Sequence, residues 1–179
     1  TCVGYVARHP QRVAALVLAD TLQGLVESPR ASEIMNQARA ATAELGQLER
    51  VLSEATRAQR PMIALLYSQL ASFNAASRRS LRGEFAPLLA PEALAQLKIP
   101  TLFIAGQHDL LFPPAAIQEM HQRVQGSFYI EVSDAGHSAY FEQPAAFNDS
   151  ILTFLQATGY RGGARPAHSN APGYLPVGP

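Results

Sequence analysis

Two short apolar runs in the second half of the chain each end at a polar turn, and their spacing leaves few folds open. Thr101-Leu-Phe-Ile-Ala-Gly-Gln-His-Asp109 ends in a carboxylate. The run through residue 132 leads into Ser133-Asp-Ala-Gly-His137-Ser-Ala-Tyr-Phe-Glu-Gln-Pro144, where an imidazole follows a glycine. Asp109 and His137 lie 28 residues apart, with one helix-length segment between them. That is enough chain for a strand end, a crossover helix and the next parallel strand. The arrangement places an acid and a histidine at the same edge of one sheet.

The rest of the chain supports an α/β layering. Residues 12–20 form a near-continuous apolar run, read as a short strand buried on both faces. Residues 1–7 read as the end of a helix that feeds it. From residue 22 to 97 the pattern is helical. Ser28-Pro29 is a helix start, with Ile34, Ala38, Ala41 and Leu45 on one stripe and Gly46 as its breaker. Leu48, Val51, Leu52 and Ala55 form a second stripe. Pro61 opens a third helix carrying Met62, Leu65, Leu66 and Phe73, and Pro87 and Pro91 punctuate the exit before a short last helix over 91–97. No strand signal occurs in this stretch, which is expected to lie over a sheet edge. Strand and helix then alternate: strand 100–105, helix 113–124, strand 127–132 with the alternation of an edge position, and helix 144–155. The expected organisation is therefore core helix and strand over 1–21, a helical insertion over 22–97, the rest of the core over 98–157, and a loose Gly- and Pro-rich tail over 158–179.

Composition narrows the function classes. Lys+Arg and Asp+Glu are 14 each, so zero net charge offers nothing to nucleic acid or an anionic membrane surface. The lone cysteine, Cys2, cannot form an internal disulfide. No apolar run approaches the ~20 residues of a membrane span. The default compartment is the cytoplasm and the expected partner a small-molecule substrate, with oligomeric state open.

A histidine oriented by a buried acid is two-thirds of a nucleophilic triad. His137 is the candidate general base and acid, and Asp109 the candidate that holds its useful tautomer. Asp20, also at a strand end, and Asp134, on the histidine's own turn, compete for the acid role. Ser138 adjoins His137 and cannot easily serve as its nucleophile; Thr1 and Cys2 sit in helical surroundings. His9 reads as a helix-end residue, His108 as exposed, His121 as helical and His168 as part of the tail. No metal-ligand spacing, phosphate loop or dinucleotide fingerprint is present, so no metal and no cofactor are expected. Phe112 and Tyr140 flank the acid and base and are candidate pocket residues; Leu66 and Phe73, from the third helix, are further candidates.

Together these residues resemble the α/β-hydrolase superfamily, in the subgroup with a helical cap, over roughly residues 1–157. Gly106-Gln-His-Asp109-Leu-Leu-Phe-Pro-Pro114 resembles that family's acid loop, and Asp134-Ala-Gly-His137-Ser-Ala-Tyr-Phe-Glu-Gln-Pro144 its histidine loop. Tyr5-Val-Ala-Arg-His-Pro-Gln-Arg-Val13 through Leu16-Val-Leu-Ala-Asp-Thr21 resembles the helix and strand after the nucleophile elbow. The resemblance implies the C-terminal part of an α/β-hydrolase sheet with a helical cap insertion, Asp109 as acid and His137 as base. The elbow itself, G-x-S-x-G, occurs nowhere in the chain. The family's nucleophile and oxyanion hole thus map onto nothing here, and the chain is expected to be part of a larger hydrolase, inactive and aggregation-prone alone. Serine-dependent hydrolysis of a small carboxylic ester or related acyl or carbon–carbon bond is the first reading. An aspartate-nucleophile dehalogenase or epoxide hydrolase, a non-catalytic truncated relative, and cofactor-free oxygen or peroxide chemistry stay open beside it.

Overall fold

A computed structural model describes residues 2–73 and 87–159. Of the tail expected over 158–179, only 158 and 159 fall among them, and Thr1 falls outside.

Three parallel strands form one sheet in the order β1 (Leu16–Ala19), β2 (Thr101–Gly106), β3 (Phe128–Val132). Leu16 pairs with Thr101 and Leu102 with Phe128, so the strands run in step and their carboxyl ends share an edge. All six residues of the central β2 are buried, as a strand covered on both faces and both edges requires. The chain passes from β2 to β3 through α7 (Pro114–Arg123).

The two sheet faces carry separate cores. On one, Phe103 and Ala105 of β2 and Leu16 and Leu18 of β1 pack with Val3 and Val6 of α1 (Cys2–Arg8), Met35 of α2 (Pro29–Ala41), Leu94 of α6 (Pro91–Gln96), and Ile117 and Met120 of α7. On the other, Leu102, Ile104 and Val132 pack with Ala139 of α8 (Ala139–Glu142) and Phe154 of α9 (Pro144–Ala157). The remaining helices of the 22–97 stretch are α3 (Gln47–Val51), α4 (Glu54–Gln59) and α5 (Pro61–Ser72). Pro29, Pro61, Pro91, Pro114 and Pro144 each open a helix, where the missing N–H is no loss and the fixed φ is already helical.

Several details differ from the sequence-based expectations. The first strand is shorter than 12–20, because Pro10–Arg12 forms a 3-10 turn. It is also not buried on both faces: burial alternates, with Leu16 and Leu18 inside and Val17 and Ala19 partly open. The stripe from Leu48 to Ala55 is two helices, not one. Leu52 is extended and Ser53 caps α4, its Oγ accepting the Thr56 N–H at 3.1 Å. The helical stretch 22–97 also contains a parallel bridge, Leu25 to Leu89. The helical chain after His137 resumes at Ala139, earlier than Pro144, through the short α8.

Candidate active site

Two loops at the carboxyl edge of the sheet, one after β2 and one after β3, build the site. They touch through backbone. Gln107 N–H donates to Val132 O at 3.0 Å and His108 N–H to Ala135 O at 2.8 Å. The side chain of Gln107 accepts the Asp134 N–H at 3.0 Å, steadying a turn in which Asp134 has φ 56°. Glycine makes the approach possible: a Cβ on Gly106 would lie 2.0 Å from Gly136 O. A Cβ on Gly136 would in turn meet Ser53 N at 2.7 Å.

This juxtaposition brings Asp109 Oδ2 to 3.0 Å from His137 Nδ1. The Asp109 side chain is wholly buried, whereas that of His137 is 27 % exposed. Asp109 Oδ1 accepts the N–H of Leu111 at 2.7 Å and of Phe112 at 3.0 Å. Both carboxyl oxygens are thus engaged, and an acceptor-only carboxylate obliges Nδ1 to carry the hydrogen. Nε2 is then the basic nitrogen of the neutral ring. Phe112 stacks on the imidazole at a centroid distance of 5.8 Å and 17° between planes, limiting ring rotation.

The third strand-end acid, Asp20, joins the same cluster without taking the acid's place. It is buried, sits at φ 50°, and its Oδ1 accepts the Gly106 N–H at 2.7 Å. Burial, reinforced by the nearby Asp109 charge and opposed by the Gly106 and Ala139 amides and His137, pushes its carboxyl up from the ordinary 3.8 to about 7. Asp134 makes the turn and is exposed.

A cavity of about 270 Å³ opens over the imidazole, lined by Asp20, Thr21, Tyr67, Phe112, His137 and Tyr140 among others. Phe112 and Tyr140 thus border the site. Leu66 and Phe73 do not line this cavity: Leu66 is 45 % exposed and Phe73 81 %. On α5 it is Tyr67, the next residue round the helix, that turns inward, edge-on to Phe141 at 5.3 Å. Burial, with Tyr67 nearby, pushes the Tyr140 phenol up, so it stays a neutral hydroxyl. A larger cavity of about 560 Å³ lies between α3–α4 and the acid loop, lined by Leu52, Arg57, His108 and Leu110 among others, and excludes His137.

The other histidines stand apart. His108 is exposed, His9 packs on Tyr5 just beyond α1, and the His121 ring bonds Ser127 Oγ at 2.7 Å. Ser138 is buried, its N–H donating to Val51 O at 3.0 Å. Among the described residues no group of three or more His, Cys, Asp or Glu converges as a metal would need, and no helix is long and apolar enough to cross a membrane.

Sequence reasoning passed over one residue. Glu142 is fully buried, and its carboxylate accepts the Gly136 N–H at 2.7 Å and the Ser53 N–H at 2.8 Å. The available signal was its place: a carboxylate five residues past the histidine, amid apolar neighbours.

Comparison with known proteins bears on the fold. A family model described as alpha/beta hydrolase fold matches residues 64–144. A putative non-heme bromoperoxidase, BpoC, of Mycobacterium tuberculosis is 32% identical over 63 residues, 35% of this chain and 24% of that protein. A thermophilic esterase from Thermogutta terrifontis superposes with a TM-score of 0.65 at 24% identity, over 88% of this chain and 61% of its own. The carboxylesterase CesB of Bacillus subtilis gives 0.59 at 20% identity, over 87% and 56%. The chain therefore spans about three fifths of these solved structures and about a quarter of the curated relative.

Proposed function

We propose that this chain, whose residues 64–144 match an alpha/beta hydrolase fold model, is part of an α/β hydrolase and supplies the acid and the histidine of a serine-dependent enzyme acting on a small carboxylic ester or related acyl or carbon–carbon bond. The observation that carries the reading is the 3.0 Å contact between His137 Nδ1 and the buried Asp109, with the ring bordering a cavity. The esterases among the structural neighbours favour the ester.

In this reading a serine hydroxyl attacks the substrate carbonyl. His137 Nε2 takes the hydroxyl proton and passes it to the leaving alkoxide. Water then attacks the acyl-enzyme carbonyl, His137 again accepts the proton, and the acid leaves as serine recovers its hydrogen. Asp109 keeps Nδ1 protonated throughout and steadies the imidazolium as it forms. The 179 residues hold no G-x-S-x-G, so the nucleophile and oxyanion donors are assigned to polypeptide beyond them. The helices of residues 22–97 serve as a cap, with Tyr67 lining the cavity. The substrate is a small molecule, the compartment the cytoplasm, and neither nucleic acid nor membrane takes part. Likeness to a putative bromoperoxidase supports a second reading in which hydrogen peroxide replaces water as acyl acceptor. The released peracid would then oxidise bromide.

A fluorophosphonate probe, which marks an activated serine, tests the proposal. The 179-residue chain should not be labelled. The protein carrying the upstream coding sequence should be labelled at the elbow serine, and His137→Ala should cut labelling and ester turnover at least ~10³-fold. Full labelling of the His137→Ala protein would sink the assignment.

A further inference from the structure

Glu142 is wholly buried. Its carboxylate faces two backbone amides from different parts of the fold. Oε1 accepts from Gly136, the residue before the histidine, and Oε2 from Ser53, at the junction of α3 and α4. Around this fork the same two segments meet three more times. Ser138 N–H donates to Val51 O at 3.0 Å, Arg60 Nη1 to the Glu142 carbonyl at 2.8 Å, and Ser53 Oγ to Asp134 O at 3.4 Å. The residues on both sides of His137 are thus bonded to residues 51–60, and the Glu142 carboxylate bonds a backbone amide of each segment.

We propose that Glu142 is a positioning residue that locks the histidine loop to the α3–α4 segment, so that the placement of His137 against Asp109 depends on where that segment sits. The inference rests on the reading of His137 as the base. Its physical content lies in the donor count. Each carboxylate oxygen meets an N–H, and both amides are shielded from water, so neither can exchange its partner for solvent without the segments parting.

The test uses nuclear magnetic resonance of the whole chain, reading the His137 ring nitrogens and their titration, so no turnover is needed. In Glu142→Gln the side-chain volume stays, but one oxygen becomes a donor facing a donor. The tautomer preference should weaken, and the Gly136 or Ser53 amide should exchange at least tenfold faster. A second pair of variants separates positioning from mere stability. Ser53 has φ −59° and ψ 153°, and the preceding Leu52 is extended, so the backbone already suits proline. Ser53→Pro removes the donor to Glu142, whereas Ser53→Gly keeps that donor and removes the hydroxymethyl group with its bonds to Thr56 and Asp134, which Ser53→Pro removes as well. The proposal expects the His137 signals to change in Ser53→Pro and not in Ser53→Gly. Unchanged His137 signals in both Glu142→Gln and Ser53→Pro, whatever their melting temperatures, overturn it. Asp109→Asn is the separate control. If it too leaves His137 unchanged, the acid–histidine reading fails, and not merely the role of Glu142.

Discussion

Replacing Gly106 with alanine probes a close approach between the two loop backbones. The added Cβ would lie 2.0 Å from Gly136 O and 2.9 Å from Ala135 O. An ordinary carbon–oxygen contact needs a little over 3 Å, so the acid loop and the histidine loop must separate by about 1 Å. Both partners are backbone, and neither can rotate away. The bonds across the seam start at 3.0 Å for Gln107 to Val132, 2.8 Å for His108 to Ala135 and 3.0 Å for Asp109 to His137. An added ångström takes them beyond hydrogen-bond range. At ~1 kcal/mol for each neutral bond and somewhat more for the charged one, the loss is roughly 3–4 kcal/mol. On the proposed reading of His137 as the base, a 1 Å misplacement should cost on the order of 10² in the turnover of the protein carrying the upstream sequence. Urea unfolding with a shared m-value reads the first quantity, and the His137 ring resonances read the separation directly. A variant within about 0.5 kcal/mol of the parent, with His137 signals unmoved, would refute the claim that glycine is needed for the two loops to meet.

Asp20 should give the stability curve a pH signature. Its carboxyl is raised from 3.8 to about 7, so the folded chain holds a proton that the unfolded chain has lost between those values. Stability from this group is complete below about pH 4, declines as pH rises, and levels off above about pH 7, a span worth at most on the order of 4 kcal/mol. Asp109, His137 and Tyr140 share its field, so the measurement is the stability difference between the parent and Asp20→Asn at each pH. That difference should fall steadily from pH 4 to 7, and a flat line would show that Asp20 is ionised in the fold. Phe103, fully buried at the centre of β2, should cost about 3–5 kcal/mol on replacement by alanine, read by chemical denaturation; a loss under 1 kcal/mol would mean that the core closes over the gap.

Much of the architecture was legible locally. Five prolines at helix starts, the six-residue run of β2 and the strand-end positions of Asp109 and His137 all follow from rules that act within a few residues. The same rules overextended β1 and fused α3 with α4 across Leu52–Ser53, where the Ser53 amide meets Glu142 from 89 residues away. Leu66 and Phe73 lie outside the lining of the cavity at His137 for a related reason. Helical periodicity marks an apolar stripe but not which residue beside it faces the site, and here Tyr67 turns inward.

The sequence by itself determined that an acid and a histidine stand at the ends of neighbouring strands, because hydrophobic period, proline and glycine are short-range signals. Only the tertiary structure decided the pairings: Asp109 rather than Asp20 against the imidazole, Asp20 on the Gly106 amide with a raised carboxyl, Glu142 between two loops. Those choices turn on distances between segments far apart in the chain and on how completely each carboxyl loses water. Both quantities exist only once the strands have stacked in register and the helices have closed over them.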